Sequence, residues 1–274
     1  MFRLLNIEFH KLKHNRASKV LILTYFILLT SVALISVVKF PFGEGIRLAE
    51  LGIFNFPYIW HLNTYLSALI KFFLLLVIVS MMANEYSNKT LKQNLIDGLS
   101  KKEFILSKFY TVIIFAVVST IFVFIVSLIL GLIYSDFNET AIIFSDLEYL
   151  AAFFVKLVGF FSFGLFLGIL IKRSAFAVGA MLVWAIIESF VKGMLYWKFE
   201  AFAEKIMQFF PLEAMMNLIK EPFTRLSAVK SLASQVGEDL SKDFSVHFTD
   251  IAIVSVWTAI FIYLSYRLLK RRDL

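Results

Sequence analysis

Four ionisable residues, Lys71, Lys156, Glu188 and Lys192, stand inside otherwise apolar runs. A charge at bilayer depth is costly and marks a substrate or ion path, or a counter-ion pair. Lys71 is the deepest, roughly nine residues or about 14 Å from the end of its helix that the charge pattern places outside. The other three lie nearer the outer surface. Glu188 and Lys192 are four apart, share a helix face and are expected to pair. Snorkelling plus a structural ion pair is the plain reading of Lys156 and Lys192. A polar lining of a substrate path is the functional reading, with Lys71, Glu188 and Lys192 as its candidates.

A second group lies in the stretch Asn84 to Lys108, NEYSNKTLKQNLIDGLSKKEFILSK. Thr90 to Asp97 reads as a short helix with Leu91 and Leu95 on one face, and Gly98 stands where a left-handed residue ends a helix. Ser100 and Glu103 have the spacing of a capping box, so a second helix starts there and runs into the membrane. The result is a compact apolar knob with a lysine-rich surround, suited to receiving a push from a partner; a plain connector is the alternative.

Catalytic constellations are missing. The sequence has no G-x-x-x-x-G-K-[ST] phosphate loop, no H-E-x-x-H and no G-x-S-x-G, and its histidines, His10, His14, His61 and His247, are scattered. Cysteine is absent, which removes disulfides, thiolate nucleophiles and cysteine-ligated metals together. The acidic stretch from Asp136 to Glu148 matches no calcium-loop spacing. An enzyme is therefore not expected, and no metal or cofactor is expected in this chain.

The elements that position these residues are membrane spans. Of 274 residues 60% are hydrophobic and 17% charged, against about 45–50% and about 25% in soluble domains. About 20 apolar residues cross a bilayer as a helix, and six such blocks are expected: Val20 to Val38, Leu62 to Met82, Phe109 to Ile133, Tyr149 to Ile171, Ala175 to Tyr196 and Ile251 to Leu268. A tight hairpin at Lys172, Arg173 and Ser174 joins the fourth and fifth. The net charge of +7 belongs to the flanks of these blocks and not to a basic domain, so nucleic acid is not an expected partner.

Lysines and arginines collect before the first span, between the second and third, at the hairpin and in the tail, while the loop after the third span carries only acidic charge. Cytoplasmic flanks retain basic residues, which places both termini in the cytoplasm. Tyr58, Trp60, Tyr65, Tyr134, Tyr149, Tyr196 and Trp197 then fall at outer span ends, in keeping with the interfacial preference of Tyr and Trp. The first block is too long for a signal-peptide core. Phe2, Leu5, Phe9 and Leu12 form one stripe of an N-terminal helix suited to lie in the inner interface, with Glu8 and Lys11 spaced to pair across a turn. The pairs Gly164/Gly168 and Ala175/Gly179 allow close helix contact, first of all within one subunit.

The sequence thus describes an all-α polytopic protein forming one membrane domain over residues 1–274, with an interfacial elbow at 1–19, a cytoplasmic region at 84–108 and an outer loop at 197–250. Glu85, Lys89-Thr90-Leu91-Lys92, Gly98-Leu99-Ser100-Lys101, Glu103-Phe104 and Lys108 resemble the cytoplasmic loop of type-2 permeases of ATP-binding-cassette transporters, especially small bacterial members. The six-span plan and the N-terminal helix with Glu8 and Lys11 extend the resemblance over nearly the whole chain.

The resemblance implies an exporter permease in the bacterial cytoplasmic membrane. It would work with ATP-binding-cassette ATPase subunits, which would bind ATP and Mg, and with a second permease copy, identical or paralogous, in surrounding lipid. It implies that Glu85, Thr90, Leu91, Leu95, Gly98 and Ser100 belong to a coupling helix seated in the ATPase, and that Phe2, Leu5, Glu8, Phe9 and Leu12 form the elbow. It also implies a re-entrant outer hairpin, which Phe199, Phe202, Ile206, Phe209 and Pro211 to Ile219 could supply. The polar, helical stretch expected to continue to Asp250 departs from the compact form. A different class, a stand-alone ion-coupled transporter or channel using Lys71 and Glu188, calls for midplane helix breaks or inverted repeats, and the sequence shows neither.

Overall fold

Within a bilayer an apolar segment satisfies its backbone donors and acceptors internally only as a helix or in a closed barrel. The computed structural model describes residues 2–35, 52–226 and 243–272, without the side chains of residues 2, 33 and 35, and every regular element among them is helical. In chain order these are α1 (Phe2–His14), α2 (Arg16–Ile35), α3 (Tyr58–Ile70), α4 (Phe72–Ser87), α5 (Thr90–Ile96), α6 (Lys101–Tyr134), α7 (Thr140–Ile143), α8 (Glu148–Ile171), α9 (Ser174–Met207), α10 (Pro211–Asn217), a 3₁₀ turn (Phe223–Arg225) and α11 (Phe248–Arg271).

Four stretches are long and apolar enough to cross a membrane: α6, α7 with α8, α9 and α11; α3 and α4 make a fifth if they count as one bent span. Six spans were expected. The first block does form a helix, α2, but residues 36–38 of it lie outside the described residues. The third block extends back to Lys101 as one helix with the segment that precedes it, as the capping box predicts. The fifth continues to Met207 across a kink at Phe199 (φ −141°, ψ 49°). The stretch expected to be helical up to Asp250 lies largely at residues 227–242, outside the described residues, and α11 already starts at Phe248.

The expectation of unbroken spans is corrected at Lys71. There α3 and α4 meet at 42°, with no proline or glycine at the junction. Lys71 Nζ donates to the carbonyl of Ala68 at 2.7 Å, so a side chain takes a carbonyl of the helical ladder, a recognised cause of sharp bends.

Helix α8 is the hub, packing on α11, α4, α6, α9, α3 and α10. Its glycines explain the close approach. A Cβ on Gly164 would stand 2.2 Å from Leu75 Cδ1, and one on Gly168 3.2 Å from Met82 Cβ; this small pair seats α8 on α4 within one chain. Gly179 faces open space. The outward sides of α6, α9 and α11 carry exposed Ile125, Phe176, Ile186, Phe190 and Val256, surface that hydrocarbon covers at no cost.

Candidate functional site

The most concentrated chemistry is a buried ionic knot at the basic end of the bundle. Lys108, in the second turn of α6, has no exposed side-chain surface, and its ammonium lies 2.6 Å from Glu8 Oε2 of α1 and 2.6 Å from Glu85 Oε1 of α4. Lys11 of α1 adds a contact of 2.7 Å to the same Glu85 oxygen. The other oxygen, Oε2, accepts from Thr90 Oγ1 at 2.6 Å and from Asn94 Nδ2 at 3.5 Å, both on α5. Ser107 Oγ donates to Glu8 Oε1 at 3.4 Å. One carboxylate, Glu85, therefore ties together α1, α4, α5 and α6.

Two expectations change here. Glu8 and Lys11, expected to pair across one turn, each reach to another helix. The buried stripe of α1 is Leu5, Glu8 and Leu12, whereas Phe9 is 37% exposed; Phe2 opens the helix, and its side chain lies outside the described residues. The reason is Lys108. A buried ammonium needs a carboxylate more than the groove needs another ring, and Glu8 occupies the inward position that supplies it.

The short helix α5 is fixed at both ends. Lys89 (φ 56°) reverses the chain before it. After it Gly98 N donates to Leu95 O at 3.2 Å and Leu99 N to Asn94 O at 3.0 Å, with Gly98 at φ 95°, the paired bonds of a Schellman stop. Ser100 and Glu103 form the complete capping box that starts α6. Leu91, expected in the apolar knob, is 2% exposed and faces the bundle, with Leu95 partly buried against the same core. The outward surface of α5 is Lys92, Gln93 and Ile96, and Ile96 is 74% exposed. Sequence reasoning passed over Ile96, although it sits five residues after Leu91 and so points away from it.

The same end is bound by charged caps. Arg272 Nη2 donates to Leu170 O at 2.9 Å and its other nitrogen to Ile169 O, capping α8. Lys101 Nζ donates to Lys270 O and Arg272 O at the close of α11. The α8–α9 hairpin turns at Lys172 (φ 64°). The basic flanks thus gather on one side of the molecule.

Toward the other end the intramembrane charges separate into two arrangements. Glu188 and Lys192, expected to pair, do not bond each other. Glu188 accepts from Leu212 N and Glu213 N at 3.1 Å and from Trp184 Nε1, so it sits over the first amides of α10, where the helix dipole favours an anion. Lys192 instead lies 2.6 Å from Glu213 Oε1. Together they clamp α10 onto α9. The kinked end of α9, carrying exposed Phe199, Phe202, Ile206 and Phe209, turns at Phe210 into α10, and Trp257 Nε1 of α11 donates to Phe209 O at 2.8 Å. Lys71 and Lys156 line a cavity of 580 Å³ together with Lys192, Lys220, Glu213 and Glu221.

Beyond this cavity a polar latch closes the end opposite the knot. Arg225 donates to Asp146 Oδ2 at 3.3 Å, to Tyr149 Oη at 3.1 Å and to His61 Nδ1 at 3.2 Å. His61 stacks on Tyr149 with centroids 4.1 Å apart, and its Nε2 lies 2.9 Å from Lys220 O. Asp243 in the adjoining loop is held down to about 2 by the hydroxyl and amide of Ser245. Among the described residues no group of three His, Asp or Glu side chains could hold a metal ion.

An all-helical bundle with several spans of membrane length, a buried ionic knot at one end and lysines at membrane depth defines a polytopic membrane protein. Residues 20–274 match a family described as a protein of unknown function (DUF2705), and the chain belongs to that family. No curated protein matches it.

Proposed function

We propose that the chain is the membrane-spanning permease subunit of an ATP-binding-cassette exporter. It would sit in the bacterial cytoplasmic membrane with both termini in the cytoplasm and cross it six times, α2 being the first span. The observation that carries the reading is the knot at Glu85. A short exposed helix, α5, is joined through one carboxylate to the N-terminal elbow and to the bases of two long helices. A partner that pushes α5 moves all three together, because the Schellman stop and the capping box leave little slack between α5 and α6. In this reading a separate ATPase receives Ile96, Lys92 and Gln93 in a cleft, ATP binding drives the displacement, and two permease copies alternate between inward-open and outward-open states. The α9–α10 hairpin is the re-entrant outer element.

The bend at Lys71 favours a second reading. Broken helices at the midplane mark binding sites of ion-coupled transporters, and a stand-alone transporter using Lys71 would need no ATPase. Affinity purification of the chain, tagged at its C-terminus in mild detergent, separates the two. The permease reading expects a stoichiometric co-purifying ATPase that is lost in Ile96→Asp while the chain stays folded. Purification alone, with ATP-independent transport, supports the second reading.

A further inference from the structure

We propose that the cavity between the Lys71 bend and α10 binds the phosphate-bearing anionic headgroup of an amphiphile, whose tail lies along the bilayer-facing Leu69 and Met216. The cavity measures 580 Å³, within the range of about 300–1,000 Å³ typical of ligand sites. Lys156 is 5% exposed, and no acceptor among the described residues lies within hydrogen-bond reach of its ammonium. Among the described residues the partners of Lys71 are uncharged, the Ala68 carbonyl and the face of Phe160 at 4.5 Å. Lys192 is matched by Glu213, and Lys220 donates to Asp243 O.

Among the described lining residues, four lysines against two glutamates leave two surplus positive charges. A buried ammonium without a counter-ion is costly, and lysine binds phosphate as a point charge. An anion entering here neutralises Lys156 and Lys71 together. The tail follows from the rim. Leu69 and Met216 line the cavity and are each 61% exposed, so the opening is apolar where it meets hydrocarbon.

The inference rests on the permease reading only in calling the ligand a substrate; binding needs no ATPase, so the two can fail separately. The test is native mass spectrometry of the full chain in neutral detergent, with dioctanoyl phosphatidylglycerol, dioctanoyl phosphatidylcholine and inorganic phosphate as separate probes. The glycerol lipid is expected to be retained about tenfold more tightly than the choline lipid. That preference is expected to vanish in Lys156→Met and in Lys71→Met, to survive in Lys156→Arg, and to be unchanged in Lys172→Met at the far turn. Lys71 is only half-buried, so Lys71→Met keeps the test open if Lys156→Met does not fold. Equal retention of both lipids, or a preference that survives both methionine variants, overturns the site. Phosphate bound as tightly through the same lysines overturns the amphiphile and leaves a free-anion site.

Discussion

Lys108 holds two carboxylates at 2.6 Å with no exposed side-chain surface of its own. Removing one member of such a group strands the others, at a cost of about 3–5 kcal/mol. Lys108→Met is therefore expected to lower thermal stability in detergent by that amount, whereas the triple variant Glu8→Gln, Glu85→Gln, Lys108→Met recovers most of it. Differential scanning fluorimetry checks both, and a lone Lys108→Met that melts like the parent would show the knot to be energetically idle. Little of this knot was legible in the sequence. Glu8, Lys11, Glu85 and Lys108 each stand out as charges, but spacing within a helix predicts pairing only between near neighbours, and the partners are 23 to 100 residues apart. The same limit holds for Glu188, which bonds Trp184 on its own helix and, in place of Lys192, backbone amides of a helix 24 residues further on.

Elements were more legible where a local rule decides them. The glycine stop after α5, the capping box and the Lys172 turn depend on neighbours within five residues, and each stands where the pattern placed it. The bend at Lys71 depends on a side chain competing for a carbonyl and leaves no proline or glycine signature. Gly98, at φ 95° with open space around it, tests the stop directly. Gly98→Val meets no clash but leaves the left-handed region costly by about 1–2 kcal/mol, so under the proposed permease reading it is expected to cut ATPase-stimulated transport while membrane insertion stays normal. Unchanged transport in that variant would remove α5 from the coupling role. Helix packing offers a paired test on α8 and α9. Gly164→Val drives a side chain into Leu75 and is expected to destabilise by about 1–3 kcal/mol. Gly179→Ala, with nothing within 4 Å, is expected to leave the melting temperature unchanged.

At the scale of the whole molecule, composition alone made a membrane protein legible, because 60% hydrophobic residues in long blocks suit no other solvent. The gathering of basic flanks on one side was legible too, since the Arg272, Lys101 and Lys108 contacts all fall at one end. Which side of α5 faces outward was not, because two leucines on a seven-residue helix suit either face until the bundle beneath them is known. The permease proposal requires that this end lie in the cytoplasm and that Ile96 be the surface a partner covers. The sequence contains no cysteine, so Ile96→Cys provides a single thiol. The decisive measurement is its labelling by a membrane-impermeant maleimide in intact cells and in inside-out vesicles, before and after peripheral proteins are stripped. No labelling from outside, protection in unstripped vesicles and full labelling after stripping are expected. Labelling in intact cells, or equal labelling before and after stripping, would contradict it.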